Sequence, residues 1–111
     1  MKTSEIKIAV SLDENNHPSK IIWNAPGNDG LQTRESKAML LSFFDKETLE
    51  TFKIDLWTND LQIVEMDRLM FNTLKALTES YFKATQNQEL ANQMRSFVQH
   101  FGRETKIINP E

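Results

Sequence analysis

The sequence contains no cysteine. That absence removes disulfides, thiolate metal sites and thiol nucleophiles together. Glycine is almost as scarce. Its three occurrences, Gly27, Gly30 and Gly102, form neither a dinucleotide fingerprint nor a phosphate loop. Histidine occurs twice, as His17 in a turn and His100 near a helix end. Neither has a second histidine at ligand spacing, so both read as surface side chains. There is no nucleophile elbow and no HExxH pair. "PGNDG" lacks the alternating acids and closing glutamate of a calcium loop. The expectation is a protein with no catalytic residues, no metal and no cofactor, hence not an enzyme.

Long hydrophobic runs are missing too. "MKTSEIKIAVSLDENN" places Glu5 and Lys7 among its apolar residues. An export signal needs an unbroken apolar stretch of about 7–15 residues. A membrane span needs roughly 18, and nothing here approaches that. An excess of positive charge is likewise absent. The net charge is −3 and the pI about 5.4, whereas nucleic-acid-binding domains usually exceed a pI of about 9. Lysine and arginine are scattered singly. The expected protein is therefore soluble and cytoplasmic, with no membrane insertion and no nucleic-acid partner.

What is present suits a folded domain. Hydrophobic residues make up 39% of the 111 residues, with seven Phe and two Trp. The length fits one domain, residues 1–111, with about 103–111 as a tail prone to fraying. The first half reads as strands. Ile6, Ile8, Val10 and Leu12 alternate with polar or small residues, the period of a half-buried strand. "DENNHPSK" is dense in turn formers, and "KIIWNA" follows as a hairpin partner. "PGNDG" opens a loop that runs to about Glu35. "SKAMLLSFFD" is apolar on both faces, which suits a central strand. After the turn "DKET", "LETFKIDLW" puts Phe52, Ile54 and Leu56 on one face. Thr51, Lys53, Asp55 and Trp57 fall on the other.

The second half is helical. Ile63, Met66, Met70, Leu74, Leu77 and Tyr81 recur at three and four residues. Thr58, Asn59 and Asp60 are candidate N-caps for this helix. "KATQNQE" interrupts the pattern. A second stripe then carries Leu90, Met94, Phe97, Val98 and Phe101, with Gly102 placed as the residue just past the helix end. The order ββββαα argues for an α+β fold: a four-stranded, mainly antiparallel sheet with a C-terminal helical hairpin packed on one face.

One stretch, "FKIDLWTNDLQIVEMDR", gathers Asp55, Asp60, Glu65 and Asp67 around Trp57. Paired carboxylates beside an aromatic ring can do acid–base chemistry or hold a cation. They also fit a strand end, an N-cap and a solvated helix face, with Glu65 and Arg68 as a surface pair. The second reading is preferred. Trp57 is harder to place, since it shares its strand face with Lys53 and Asp55. An aromatic residue ringed by polar ones suits a protein interface. The alternative is a bulge that folds Trp57 into the core. Trp57, Ile22, Lys53 and Asp55 are the candidate partner-binding residues.

"SEIKIAVSLDENNHPSKIIWNA", "SKAMLLSFFD", "TFKIDLWTNDLQIVEMDRL", "KAT" and "MRSFVQHF" together resemble the GldC family of gliding motility-associated proteins of the Bacteroidetes. The most specific piece is "IDLWT" before an acid-rich helix start. The chain departs from the family's usual tryptophan at Phe44, which keeps aromatic volume there. The resemblance implies a small accessory protein without established catalytic or cofactor residues. Its partner would be a protein of the gliding or secretion machinery. The alternatives are a self-associating structural protein, as a homodimer, and a small-ligand binder using the acids near Trp57.

Overall fold

The computed structural model describes residues 1–26 and 33–109, so most of "PGNDG" lies outside the described residues. The chain forms two compact units, Met1–Leu61 and Gln62–Glu111.

The first unit is all β. Strands β1 (Lys7–Leu12), β2 (Pro18–Asn24) and β3 (Arg34–Ser36) form an antiparallel sheet in that order. Ile21 stands opposite Val10 and Ser36, and Trp23 opposite Ile8 and Arg34. These residues therefore share a face, since directly opposed side chains point the same way. Ile21 is fully buried there. Trp23 donates its indole N–H to Ser36 Oγ at 3.0 Å. Asp13 builds the β1–β2 turn by accepting the amides of Asn15 and His17 at 2.8 and 3.0 Å. Asn16 takes the left-handed conformation at φ 62° that asparagine tolerates.

Strands β4 (Ala38–Phe44) and β5 (Thr51–Trp57) form a separate two-stranded antiparallel sheet. The expected single four-stranded sheet is thus incorrect: the described residues hold five strands in sheets of three and two. The cause lies at Lys37. Ser36 ends β3 in the first sheet and Ala38 begins β4 in the second, so one segment bends and changes sheet there. Lys37 O accepts the Thr58 amide at 2.8 Å, which fixes the bend against the end of β5. The expected loop to about Glu35 is also incorrect at its end: β3 lies there, and only its last residue, Ser36, falls within "SKAMLLSFFD".

The second unit is a helical hairpin of α1 (Ile63–Thr85) and α2 (Gln88–Glu104), α+β in sum with the strands before it. The cap of α1 is Gln62, not Thr58, Asn59 or Asp60. Its amide donates to Glu65 Oε1 at 2.9 Å. Asn87 caps α2 by accepting the Leu90 amide at 3.1 Å. Arg95 of α2 ties the helices together. It donates to both Glu79 carboxylate oxygens at 3.1 and 3.3 Å and lies 5.5 Å over the Phe82 ring. Gly102 lies inside α2 rather than past its end. A Cβ there would come within 2.7 Å of the Phe71 ring and 2.6 Å of Ile108, so the close approach requires glycine. The amides of Ile107 and Ile108 both donate to Gly102 O. The expectation that the helices cover a sheet face concerns the placement of one unit on the other and stays an expectation.

Candidate functional site

The β4–β5 hairpin carries three of the four candidate residues, and its ladder sets how they are displayed. Its register runs unbroken from Ala38 opposite Trp57 to Phe44 opposite Thr51. At one end the Asp45 amide donates to Glu50 O, and at the other the Thr58 amide donates to Lys37 O, both at 2.8 Å. Hydrogen-bonded pairs alternate along an antiparallel ladder. These two bonds therefore place Phe43–Phe52, Leu41–Ile54 and Met39–Leu56 as the bonded pairs. The backbone groups of Thr51, Lys53, Asp55 and Trp57 then point away from β4, along the other edge of β5. No described strand pairs with that edge.

The two faces differ sharply. One consists wholly of apolar side chains: Met39, Leu41, Phe43, Phe52, Ile54 and Leu56. Half of it is open, with Phe43 57%, Phe52 53% and Ile54 48% exposed. Leu49, in the hairpin turn beside it, is also exposed. It holds φ 60°, a region unfavourable to leucine and easy for asparagine or glycine. Asp45 braces this turn by accepting the amides of Glu47 and Thr48 at 3.1 and 2.9 Å. Those bonds, the Thr48 amide above all, hold its carboxyl below the usual range.

The opposite face carries Trp57, Asp55 and Lys53, at alternate positions of β5. Lys53 Nζ lies 3.1 Å from Asp55 Oδ2, and both side chains are partly exposed to solvent. Trp57 stands opposite the small Ala38 and is half exposed. Its ring borders an open hollow of about 400 Å³ with His17, Pro18, Asp55, Thr58 and Asn59. Asn59 donates to Asp13 Oδ2 at 2.8 Å, which holds the β1–β2 turn near the end of β5. The Asp13 carboxyl is held below its ordinary value, first by the His17 amide and also by Asn59.

The other acids of the sequence cluster are engaged locally. Asp60 accepts the Thr58 hydroxyl, which lowers its pKa. Glu65 caps the start of α1 rather than serving only as a surface partner of Arg68. Asp67 lines a hollow of the helical unit with Arg68, Thr105 and Lys106. Among the described residues no three His, Asp or Glu side chains could share a metal ion. Ile22 belongs to the other sheet. It borders a separate hollow with Lys7, Ile8, Trp23 and Asn24, so it is not brought together with Trp57.

Sequence reasoning missed Phe43, Phe52, Ile54 and Leu49 as surface residues. Their alternation tells which side chains share a face, not whether anything covers it. A clue lay in Leu49, a large apolar residue in a hairpin turn.

Residues 18–107, from β2 through the segment after α2, match the family described as gliding motility-associated protein GldC-like. The chain belongs to the GldC-like family. No curated protein and no solved structure matches it. No helix among the described residues is long and apolar enough to cross a membrane.

Proposed function

We propose that this GldC-like protein is a non-enzymatic accessory factor of gliding motility that works by holding another protein of the gliding or secretion machinery. The observation that carries the reading is the half-open apolar face of β4–β5, with Leu49 at its rim. An exposed contiguous apolar patch bordered by charge is the mark of a protein interaction site. A leucine kept at positive φ in an exposed turn adds to it, because strain retained at a surface position points to function. The acids near Trp57 are engaged by Lys53, Thr58 and Gln62, which supports a structural role for them. The absence of cysteine accords with the cytoplasm as its compartment.

The test is site-specific photo-crosslinking in cells. A crosslinker at Phe52 is expected to capture a motility or secretion component, and one at Glu79 is not. Phe43→Ser with Phe52→Ser should abolish both capture and colony spreading while the purified protein stays folded. Equal capture from both positions, or normal spreading of the folded double variant, would contradict the assignment.

A second reading rests on the hollow beside Trp57. An aromatic wall next to Asp55, His17 and Asn59 suits a small polar ligand. Quenching of tryptophan fluorescence on titration, lost in Asn59→Ala, would favour it over the first.

A further inference from the structure

We propose that β5 pairs with β5 of a second copy of this chain, antiparallel and two-fold symmetric about Ile54. The pairing joins two hairpins into one four-stranded sheet in the order β4-β5-β5-β4. The inference rests on the reading of β4–β5 as an interaction element and names one partner for its edge.

Three observations carry it. The first is the edge itself: the backbone groups of Thr51, Lys53, Asp55 and Trp57 face away from β4, and no described strand meets them. The second is that a two-stranded ladder is marginal alone, and sheets gain independent stability from three or more strands with an apolar face. The third is charge. About an axis at Ile54, Lys53 falls opposite Asp55 of the second copy, and Asp55 opposite Lys53 of the second copy. Phe52 falls opposite Leu56, and Thr51 opposite Trp57. The inner pattern F-K-I-D-L thus pairs with its own reverse, apolar with apolar and cation with anion.

Edges that avoid self-pairing usually carry like charges or an isolated lysine. This edge carries one charge of each sign, placed symmetrically. A parallel in-register pairing would set Lys53 against Lys53, so the same pattern selects the antiparallel two-fold arrangement. The other edge, β4, has no charge between Ala38 and Phe44 to fix a register. The ion pair within one copy, Lys53 to Asp55 at 3.1 Å, becomes part of a ring of four alternating charges. The apolar faces of the two copies merge into one surface.

Sedimentation velocity of the full chain across the micromolar range tests this, with folding of each variant checked by circular dichroism. Wild type is expected to be in monomer–dimer exchange. Lys53→Asp alone and Asp55→Lys alone should each weaken the dimer about tenfold, because two attractive pairs become repulsive. An equimolar mixture of the two variants should regain it, since every cross-strand pair is again opposite in sign. The double variant K53D/D55K should regain it as well. A wild type that stays monomeric overturns the proposal, as do single variants that dimerise like wild type. So does a mixture that fails to recover. In the dimer a crosslinker at Phe52 also captures the second copy, at twice the chain's own mass, so only capture of a different protein bears on the proposed function, and the two fail separately.

Discussion

The two sheets of the β unit solve the same problem to different degrees. In the first, β2 has a partner on each side, and Ile21 at its centre is fully buried. Its turn uses Asn16 where a positive φ is needed. In the second, each strand has one neighbour, the central Ile54 is half exposed, and Leu49 occupies the left-handed turn position. The first sheet buries its central isoleucine, although Ile8 and Leu12 of its edge strand stay exposed. The second leaves an edge and half a face unfinished, in a chain otherwise well supplied with caps and turn bonds. An open apolar face with a strained leucine at its rim argues that this hairpin serves an interaction.

The contrast can be broken most forcefully at the central isoleucines. Ile21→Ala should cost about 2–5 kcal/mol, the usual range for emptying a packed site. Ile54→Ala, measured where the chain is monomeric, should cost less than about 1 kcal/mol, as expected of a half-exposed side chain. Urea unfolding of both variants measures the gap, and equal losses would erase the distinction between the sheets. The turns come next. Leu49→Asn relieves an unfavourable conformation and should leave stability unchanged or raise it by up to about 1 kcal/mol. Capture from Phe52 should weaken in the same variant. A destabilised Leu49→Asn would mean that the leucine serves the fold rather than a partner.

The smallest expected effect is one the two sheets share. Asp13 and Asp45 each brace a hairpin turn, and hydrogen bonds hold both carboxyls below their ordinary values. A depressed carboxylate stabilises the fold fully above its unfolded pKa, near 4. That contribution is lost as pH falls from there through the depressed folded value. Stability should therefore decline on acidification below about pH 4, and less steeply in Asp13→Asn and in Asp45→Asn. Parallel acid limbs for variants and wild type would remove the aspartates from the account.

Much of this architecture was legible in the sequence. Period-two alternation grouped Ile8 with Val10, and Phe52 with Ile54 and Leu56, on shared faces, because side-chain direction follows from backbone geometry alone. The helical stripes were readable for the same local reason. What escaped was non-local. The bend at Lys37 depends on Thr58, 21 residues further on, and the short β3 before it lies in residues read as loop. Gly102 looked like a helix terminator because glycine commonly is one. Its actual role is set by Phe71 and Ile108, which no local pattern announces. At the candidate site, Lys53, Asp55 and Trp57 share a face as read, but Ile22 lies in the other sheet. That the apolar side of β5 is half open was not legible, since periodicity cannot tell a covered face from an open one.

Amide hydrogen exchange along β5, followed by NMR at low and at high protein concentration, tests the central claim most directly. The amides of Phe52, Ile54 and Leu56 bond to β4 and should be protected at both concentrations. Those of Lys53 and Asp55 point to the open edge. They should exchange quickly in dilute solution and become protected as concentration rises, in step with the sedimentation data. Lys53 and Asp55 amides that exchange equally fast at every concentration would contradict the account.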